Sequence, residues 1–228
     1  VFEEQPFVYD FVVDPTLQNT STAKFIQLIG PRKRVLEVGC ANGRLSAYLM
    51  QKLDCEVVGI EMNPEAVRRA ELRGARVINA DVEKDALDRV TGLFDVITFG
   101  DVLEHLRSPG AVLLRCKDRL AENGFVLVSI PNVAHYRIRL DLLRGRFNYQ
   151  PTGLMDRTHL RFFTLRSARQ LLIDAGYTIR VSDIVYEFRG DRFVRPGSRL
   201  ESIVKRRLAG LVAMQFIFKA AKIRHEGR

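Results

Sequence analysis

The stretch Glu37-Val-Gly39-Cys40-Ala41-Asn-Gly43 holds the first residues whose types and spacing could do chemistry. Gly39 and Gly43 let a backbone come close to a bound molecule. Glu37 places a carboxylate at the same turn, where it could meet a cationic ammonium group. Glu61 lies 18 residues past Gly43. A carboxylate there can accept two hydrogen bonds from the vicinal hydroxyls of a ribose. Asp81 could accept from the exocyclic amine of an adenine. Two common phosphate loops are excluded. The dinucleotide fingerprint needs glycine at 39, 41 and 44, where this chain has Gly39, Ala41 and Arg44. The Gly-Lys-Ser/Thr ending of a P-loop is absent. Plainer readings stay open: a solvated strand end for Glu61, a helix cap for Asp81, a turn residue for Glu37.

Those residues must be positioned by the elements around them. Val35–Val38, Glu56–Glu61, Ala75–Asn79, Phe94–Phe99 and Phe125–Ile130 are short apolar runs that predict strands. Gly43–Leu53 carries Leu45, Tyr48, Leu49 and Leu53 at helical spacing. Asn63-Pro64-Glu65 and Ser108-Pro109 are cap-plus-proline helix starts, the second running to about Ala121 and stopped by Asn123-Gly124. A helical stretch is also expected after Asp81. Residues 34–131 thus alternate strand and helix, which argues for a parallel, doubly wound α/β sheet. In such a sheet ligands bind at the carboxyl ends of the strands, where Glu37, Glu61 and Asp81 stand. Residues 132–163 interrupt the alternation as an insertion. Thr164 then caps a helix to Ala175, with Gly176 as its stop. Tyr177–Phe188 and Leu211–Phe218 predict two more strands, the second of a length that also permits a helix, and a basic insertion, 189–210, with a short helix from Ser198 separates them. Within the first 30 residues, a cover segment, only Thr22–Ile29 reads as helical.

The 228 residues are taken as one domain, 46% apolar and 28% charged, which excludes disorder as the default. Cys40, Cys55 and Cys116 form no disulfide framework and no metal-ligand spacing, so no metal and a reducing, cytoplasmic setting are expected. No run reaches the ~18 apolar residues of a membrane span, and Glu3 and Glu4 without an apolar core argue against a signal peptide. The chain opens on Val1, so a few native residues are expected to be missing. Charge is uneven. Residues 1–131 carry 16 Lys/Arg against 19 Asp/Glu, and residues 132–228 carry 20 against 8. Such asymmetry suits a polyanion, a membrane surface or an anionic small molecule, and equally a solvated basic face.

Val35-Leu-Glu-Val-Gly-Cys-Ala-Asn-Gly43, Gly59-Ile-Glu61, Asn79-Ala-Asp81 and Phe94-Asp-Val-Ile97 followed by Asp101-Val-Leu-Glu-His105 resemble class I S-adenosylmethionine-dependent methyltransferases. The resemblance covers about residues 20–188. It implies a Rossmann-like sheet of seven strands, mostly parallel with the last antiparallel, and S-adenosylmethionine as cofactor. It implies that Glu37, Gly39, Cys40, Ala41 and Gly43 line the methionine end with Asp101 near it. Glu61 with Met62 would hold the ribose, and Asp81 with Val82 the adenine. Ala41 departs from the usual glycine.

Methyl transfer requires the acceptor atom in line with the carbon–sulfur bond, and a hydroxyl acceptor requires a base. Gly100-Asp-Val-Leu-Glu-His105 differs from the Asp/Asn-Pro-Pro-aromatic tetrapeptide of enzymes that methylate nucleobase amines, and resembles the quinone- and sugar-modifying group. The 132–163 insertion holds six arginines against Asp141 and Asp156. It follows the fifth strand and is expected to cover the active site as a lid, with His135, Tyr136, Arg157 and Arg161 toward an anionic or sugar-containing acceptor. His159 is the first candidate base, oriented by Asp156, and His105 the second. Packing roles are the alternative for His159 and His105, and a solvent-exposed lid residue is the alternative for His135. Two rival functions stand beside this one: an RNA methyltransferase using the basic half, and a cofactor-binding protein without catalysis.

Overall fold

A computed structural model describes residues 13–17, 19–187, 194 and 197–223. Residues 1–12 of the cover segment, Phe188, most of 189–196 and His225 lie outside them. The strands are β1 (Arg34–Val38), β2 (Glu56–Glu61), β3 (Arg76–Asn79), β4 (Phe94–Gly100), β5 (Leu120–Pro131), β6 (Tyr177–Tyr186) and β7 (Ala213–Lys222). They form a single seven-stranded sheet in the order β3-β2-β1-β4-β5-β7-β6. β1 to β5 pair in parallel, and β7 runs antiparallel between β5 and β6. This is the doubly wound, Rossmann-like α/β arrangement with a reversed last strand.

The period of two along each strand divides the apolar residues between two cores. Val35, Val57, Val96, Leu127 and Ile217 face one side. There they meet Phe25, Ile26 and Ile29 of α1 (Ser21–Ile29) and Leu45 and Leu49 of α2 (Arg44–Leu53). Their neighbours Leu36, Val58, Ile97, Val128 and Phe216 face the other side. That core is closed by α4 (Pro109–Cys116), α6 (Leu165–Asp174) and α8 (Ala209–Val212). α3 (Pro64–Leu72) opens as expected, with the Asn63 side chain accepting from Glu65 N and Ala66 N. α6 opens with a reciprocal Thr164–Ser167 capping box.

Three expectations need correction. The stretch after Asp81 is a run of turns and not a helix. Val82, Ala86, Leu87 and Val90 are buried at helix-like spacing, but the short-range bonds Lys84 N to Asp81 O and Asp88 N to Asp85 O do not propagate. Ser108 stands at the start of α4 without capping it by its hydroxyl. The Glu83 carboxylate takes the Arg107 and Ser108 N–H groups instead, at 3.1 and 2.7 Å. Finally, α4 ends at Cys116, and Asn123-Gly124 lies inside β5. The β4–β5 register jumps there, from Phe94↔Leu120 to Val96↔Phe125.

The 132–163 segment contains one helix, α5 (Tyr136–Leu143). In the basic segment before β7, Ser198 caps α7 (Arg199–Ile203), and a π-helical turn, Val204–Leu208, leads into α8. Lys205 ties this region down through Asp183 of β6 at 3.0 Å and Glu201 at 3.1 Å, and Asp183 also binds the buried Lys24 of α1 at 2.5 Å.

The glycines around the β1–α2 turn give the first prediction. A Cβ on Gly43 would lie 2.7 Å from Ala70 Cβ, at φ +73, whereas Gly74 has φ +86 with open space around it. Gly74→Ala is expected to cost about 1 kcal/mol, and Gly43→Ala about 2–4 kcal/mol because strain and overlap combine. Urea unfolding of the two variants checks the order; equal losses would refute close α2–α3 packing as its cause.

Candidate cofactor-binding and catalytic site

Between β1 and α2 the backbone enters the left-handed region at Gly39 (φ 71), Ala41 (φ 46) and Gly43 (φ 73). The turn holds because Ile60 O, near the end of β2, accepts from both Gly39 N (2.8 Å) and Cys40 N (3.2 Å). Ala41 N donates to Glu61 Oε2 at 3.0 Å, and Asn63 N donates to Glu61 Oε1 at 2.9 Å. Two backbone donors thus clasp the Glu61 carboxylate. A carboxylate offers about four acceptor positions, so lone pairs remain for a diol. Met62 beside it is 69% exposed, an apolar lip that a flat ring could cover. Val82 is buried. Asp81 accepts from Glu83 N at 2.9 Å, so one of its oxygens caps a turn.

Glu37 is buried beneath the loop and accepts from the Ser46 hydroxyl. Burial pushes its pKa up to about 7, with the nearby Glu61 charge adding to the rise. Cys40 turns inward: its Sγ would lie 2.5 Å from a Cβ on Gly59. Burial drives its thiol pKa upward, which leaves an unreactive side chain. Only the Cys40 backbone therefore belongs to the loop surface.

At the end of β4, Asp101 is also left-handed, at φ 53. Its Oδ1 accepts from Ser129 Oγ of β5 at 2.8 Å, and its Oδ2 from Gln215 Nε2 of β7 at 2.5 Å. Burial raises its pKa to about 6. The next turn, Leu103–His105, buries Glu104 completely. Neither carboxyl oxygen of Glu104 receives a hydrogen bond from another residue, and burial holds its pKa well above the usual range.

Tertiary packing brings the second segment onto this turn. Leu160 N and Arg161 N donate to Glu104 O at 2.8 and 2.9 Å. His159 Nε2 comes to 4.0 Å from Glu104 Oε1, and its ring meets His105 edge-on at 4.8 Å. His105 Nδ1 lies 3.2 Å from Thr158 O. Burial, and then the His105 charge, lower the His159 pKa, favouring neutral imidazole. Asp156, expected to orient His159, spends Oδ1 on Thr158 N and Thr158 Oγ1; the carboxyl facing the ring is Glu104. The three side chains each bring one ligand atom within 4.8 Å of the others. The group could share a proton or take a divalent cation. Sequence reasoning missed Glu104 because an acid inside an apolar turn has no local signature.

The remaining expected residues separate. His135 does not face an acceptor: it is fully buried, its Nε2 lies 3.0 Å from Glu187 O and its Nδ1 accepts from Arg137 N. Burial lowers its pKa. Tyr136 is half-buried against the His135 ring. Arg157 is exposed. Arg161 is exposed too, but its guanidinium donates to Arg107 O at 2.6 Å.

A reversed last strand on a Rossmann-like sheet, a glycine turn clasping an acid at the end of β2, and acids at the ends of β1 and β4 together define a class I S-adenosylmethionine-dependent methyltransferase. The chain matches the family model for a methyltransferase domain over residues 17–181 and belongs to that family. A ubiquinone biosynthesis O-methyltransferase from Burkholderia thailandensis is 34% identical over 171 residues, 72% of each chain. Another from Psychrobacter arcticus is 30% identical over 164 residues, covering 64% of this chain and 59% of its own length. Among solved structures, a SAM-dependent methyltransferase from Archaeoglobus fulgidus superposes with a TM-score of 0.65 at 15% identity, over 92% of this chain and 95% of that one. Magnesium protoporphyrin IX methyltransferase from Synechocystis, with bound S-adenosylhomocysteine, gives 0.60 at 16% identity, over 91% and 82%.

The buried acids set a pH dependence. Glu37 and Asp101 have folded pKa values, about 7 and about 6, above ordinary carboxylate values. Their protonation favours the folded state fully below the ordinary pKa, and that contribution is lost as pH rises through the folded values. The Tm of the free protein is therefore expected to fall between about pH 5 and about pH 8, with a shallower fall in Glu37→Gln. A Tm rising across that window would contradict the burial of these acids.

Proposed function

We propose that this enzyme transfers the methyl group of S-adenosylmethionine to a hydroxyl of a small molecule, one that contains a sugar or carries an anionic group. The observation that carries the reading is the neutral-favoured His159 lodged between Glu104 and His105, two elements along from the Glu61 clasp. The O-methyltransferase names of the relatives support a hydroxyl acceptor. The residues present fit the cofactor: Glu61 keeps acceptor capacity beside the exposed Met62, and the acids Glu37 and Asp101, whose charged forms burial disfavours, suit a cationic ligand. When bound, S-adenosylmethionine supplies an electrophilic methyl on a sulfonium.

In this reading Glu61 receives the ribose hydroxyls, and Met62, Asp81 and Val82 border the adenine. Glu37, Gly39, the Cys40 and Ala41 backbone, Gly43 and Asp101 frame the methionine end. Lowered basicity keeps His159 unprotonated near neutrality, so its ring can accept the hydroxyl proton as the oxygen becomes nucleophilic. His105 bounds the same space and is the alternative acceptor of that proton. Tyr136, Arg157 and Arg161 lie on the segment covering the acceptor side, where guanidinium groups favour a phosphate or carboxylate.

Two measurements test this. Calorimetry with S-adenosylhomocysteine should show Glu61→Ala binding weaker by about 1–3 kcal/mol, the scale for hydrogen bonds to a charged group. Unchanged affinity would remove Glu61 from the ribose site. Against a panel of sugar, phenol and carboxylate acceptors, His159→Ala should lower kcat by about 10²–10⁴ with cofactor affinity retained. Arg157→Ala should mainly raise the acceptor KM. Near-normal kcat for His159→Ala across the pH range would pass the base role to His105 or leave positioning alone.

A further inference from the structure

Every residue from 139 to 153 is exposed. The run begins on α5, of which only Ile138 is buried, and continues into a loop. It contains Leu140, Leu142, Leu143, Phe147 and Tyr149, all exposed, with Leu143 at 84%. Gly145 (φ +70) and Gly153 (φ +90) turn the chain, each with open space where a Cβ would stand. A soluble domain rarely leaves this many large apolar side chains uncovered in one short stretch unless something else covers them. Phe147 and Tyr149 are not loose: they pack edge-on at 5.6 Å, and Phe147 meets Phe162 at 6.1 Å. The aromatic part of the face is therefore packed against Phe162.

The charge around it selects the occupant. Arg139, Arg144 and Arg146 stand in the same run with Asp141 as its single acid. Arginine beside leucine and aromatic side chains, on a short helix lying at the surface, is the composition of an interfacial element. A bilayer offers both complements together: acyl chains for the leucines and phosphates for the guanidinium groups. Among the described residues no helix is long and apolar enough to cross a membrane, so contact would be at the surface.

We propose that residues 139–153 dock this enzyme on the surface of an anionic lipid bilayer. Leu142, Leu143 and Phe147 enter the headgroup boundary, and Arg144 and Arg146 bind lipid phosphates. The docking places the neighbouring 154–163 segment of the site beside the membrane surface.

The test is flotation of the full chain with vesicles of phosphatidylcholine alone or of an equimolar phosphatidylcholine–phosphatidylglycerol mixture. Binding is expected to the mixture and not to pure phosphatidylcholine, weakened by high salt. Leu142→Ser/Leu143→Ser and Arg144→Gln/Arg146→Gln should each reduce it by about tenfold or more, while affinity for S-adenosylhomocysteine stays at the parent value, showing that both variants fold. No binding to the mixture, or binding that either double variant leaves unchanged, overturns the proposal. So does sedimentation showing that the parent self-associates and that Leu142→Ser/Leu143→Ser is monomeric, since a second copy would then cover the face.

Discussion

Within five residues the chain must leave β1, reverse, and enter α2, and it does so by passing three times through left-handed backbone at positions 39, 41 and 43. Glycine tolerates that conformation at two of them; Ala41 pays in strain for the third. The turn holds because β2 satisfies it: the Ile60 carbonyl takes two of its N–H groups and the Glu61 carboxylate a third. The site is thus a consequence of register. Val38 lies beside Ile60 on one side and Phe99 on the other. A slip of one residue would turn Glu61 to the wrong face and empty both cores at once.

The same carboxyl edge collects the fold's least comfortable charges. Glu37 and Glu104 are buried there and Asp101 is half-buried, and desolvation raises the pKa of each. Each sits on rigid support: Glu37 against Ser46 of α2, Asp101 against β5 and β7, Glu104 under the 154–163 segment. Groups of this kind lower the stability of the free protein near neutral pH and gain most from a cation placed beside them. A methyl donor with sulfonium and ammonium groups is chemically complementary to acids of this kind.

The remainder of the chain carries the opposite sign. The half after residue 131 has 20 basic residues against 8 acidic ones. Lys205 anchors through Asp183 and Glu201, and the 154–163 stretch anchors through the Glu104 carbonyl. Ahead of that stretch the arginine-rich run at 139–153 lies exposed, tied by the Arg139 guanidinium to Ala134 O and Gly210 O and by Phe147 to Phe162.

Local patterns determined most of the architecture. Short apolar runs marked the strands, most clearly β1, β2, β4 and β5, because a strand covered on both faces must be apolar at nearly every position. Asn63-Pro64, Thr164 and Ser198 marked helix starts, because an orphan N–H needs a side-chain acceptor close in sequence. The glycine turn with Glu61 and Asp81 was legible for the same reason: its parts lie at the ends of consecutive strands. The tertiary structure alone decided the rest. Val82, Ala86, Leu87 and Val90 have helical spacing, yet turns bury them equally well, and Glu83 is drawn off to cap α4. His135 and His159 look alike as isolated histidines in one basic segment. Packing across more than 50 residues closed the first against Glu187 O and set the second beside Glu104. Sequence spacing reports neighbours within a turn or two of the chain; which distant side chains share a buried space depends on how the layers close.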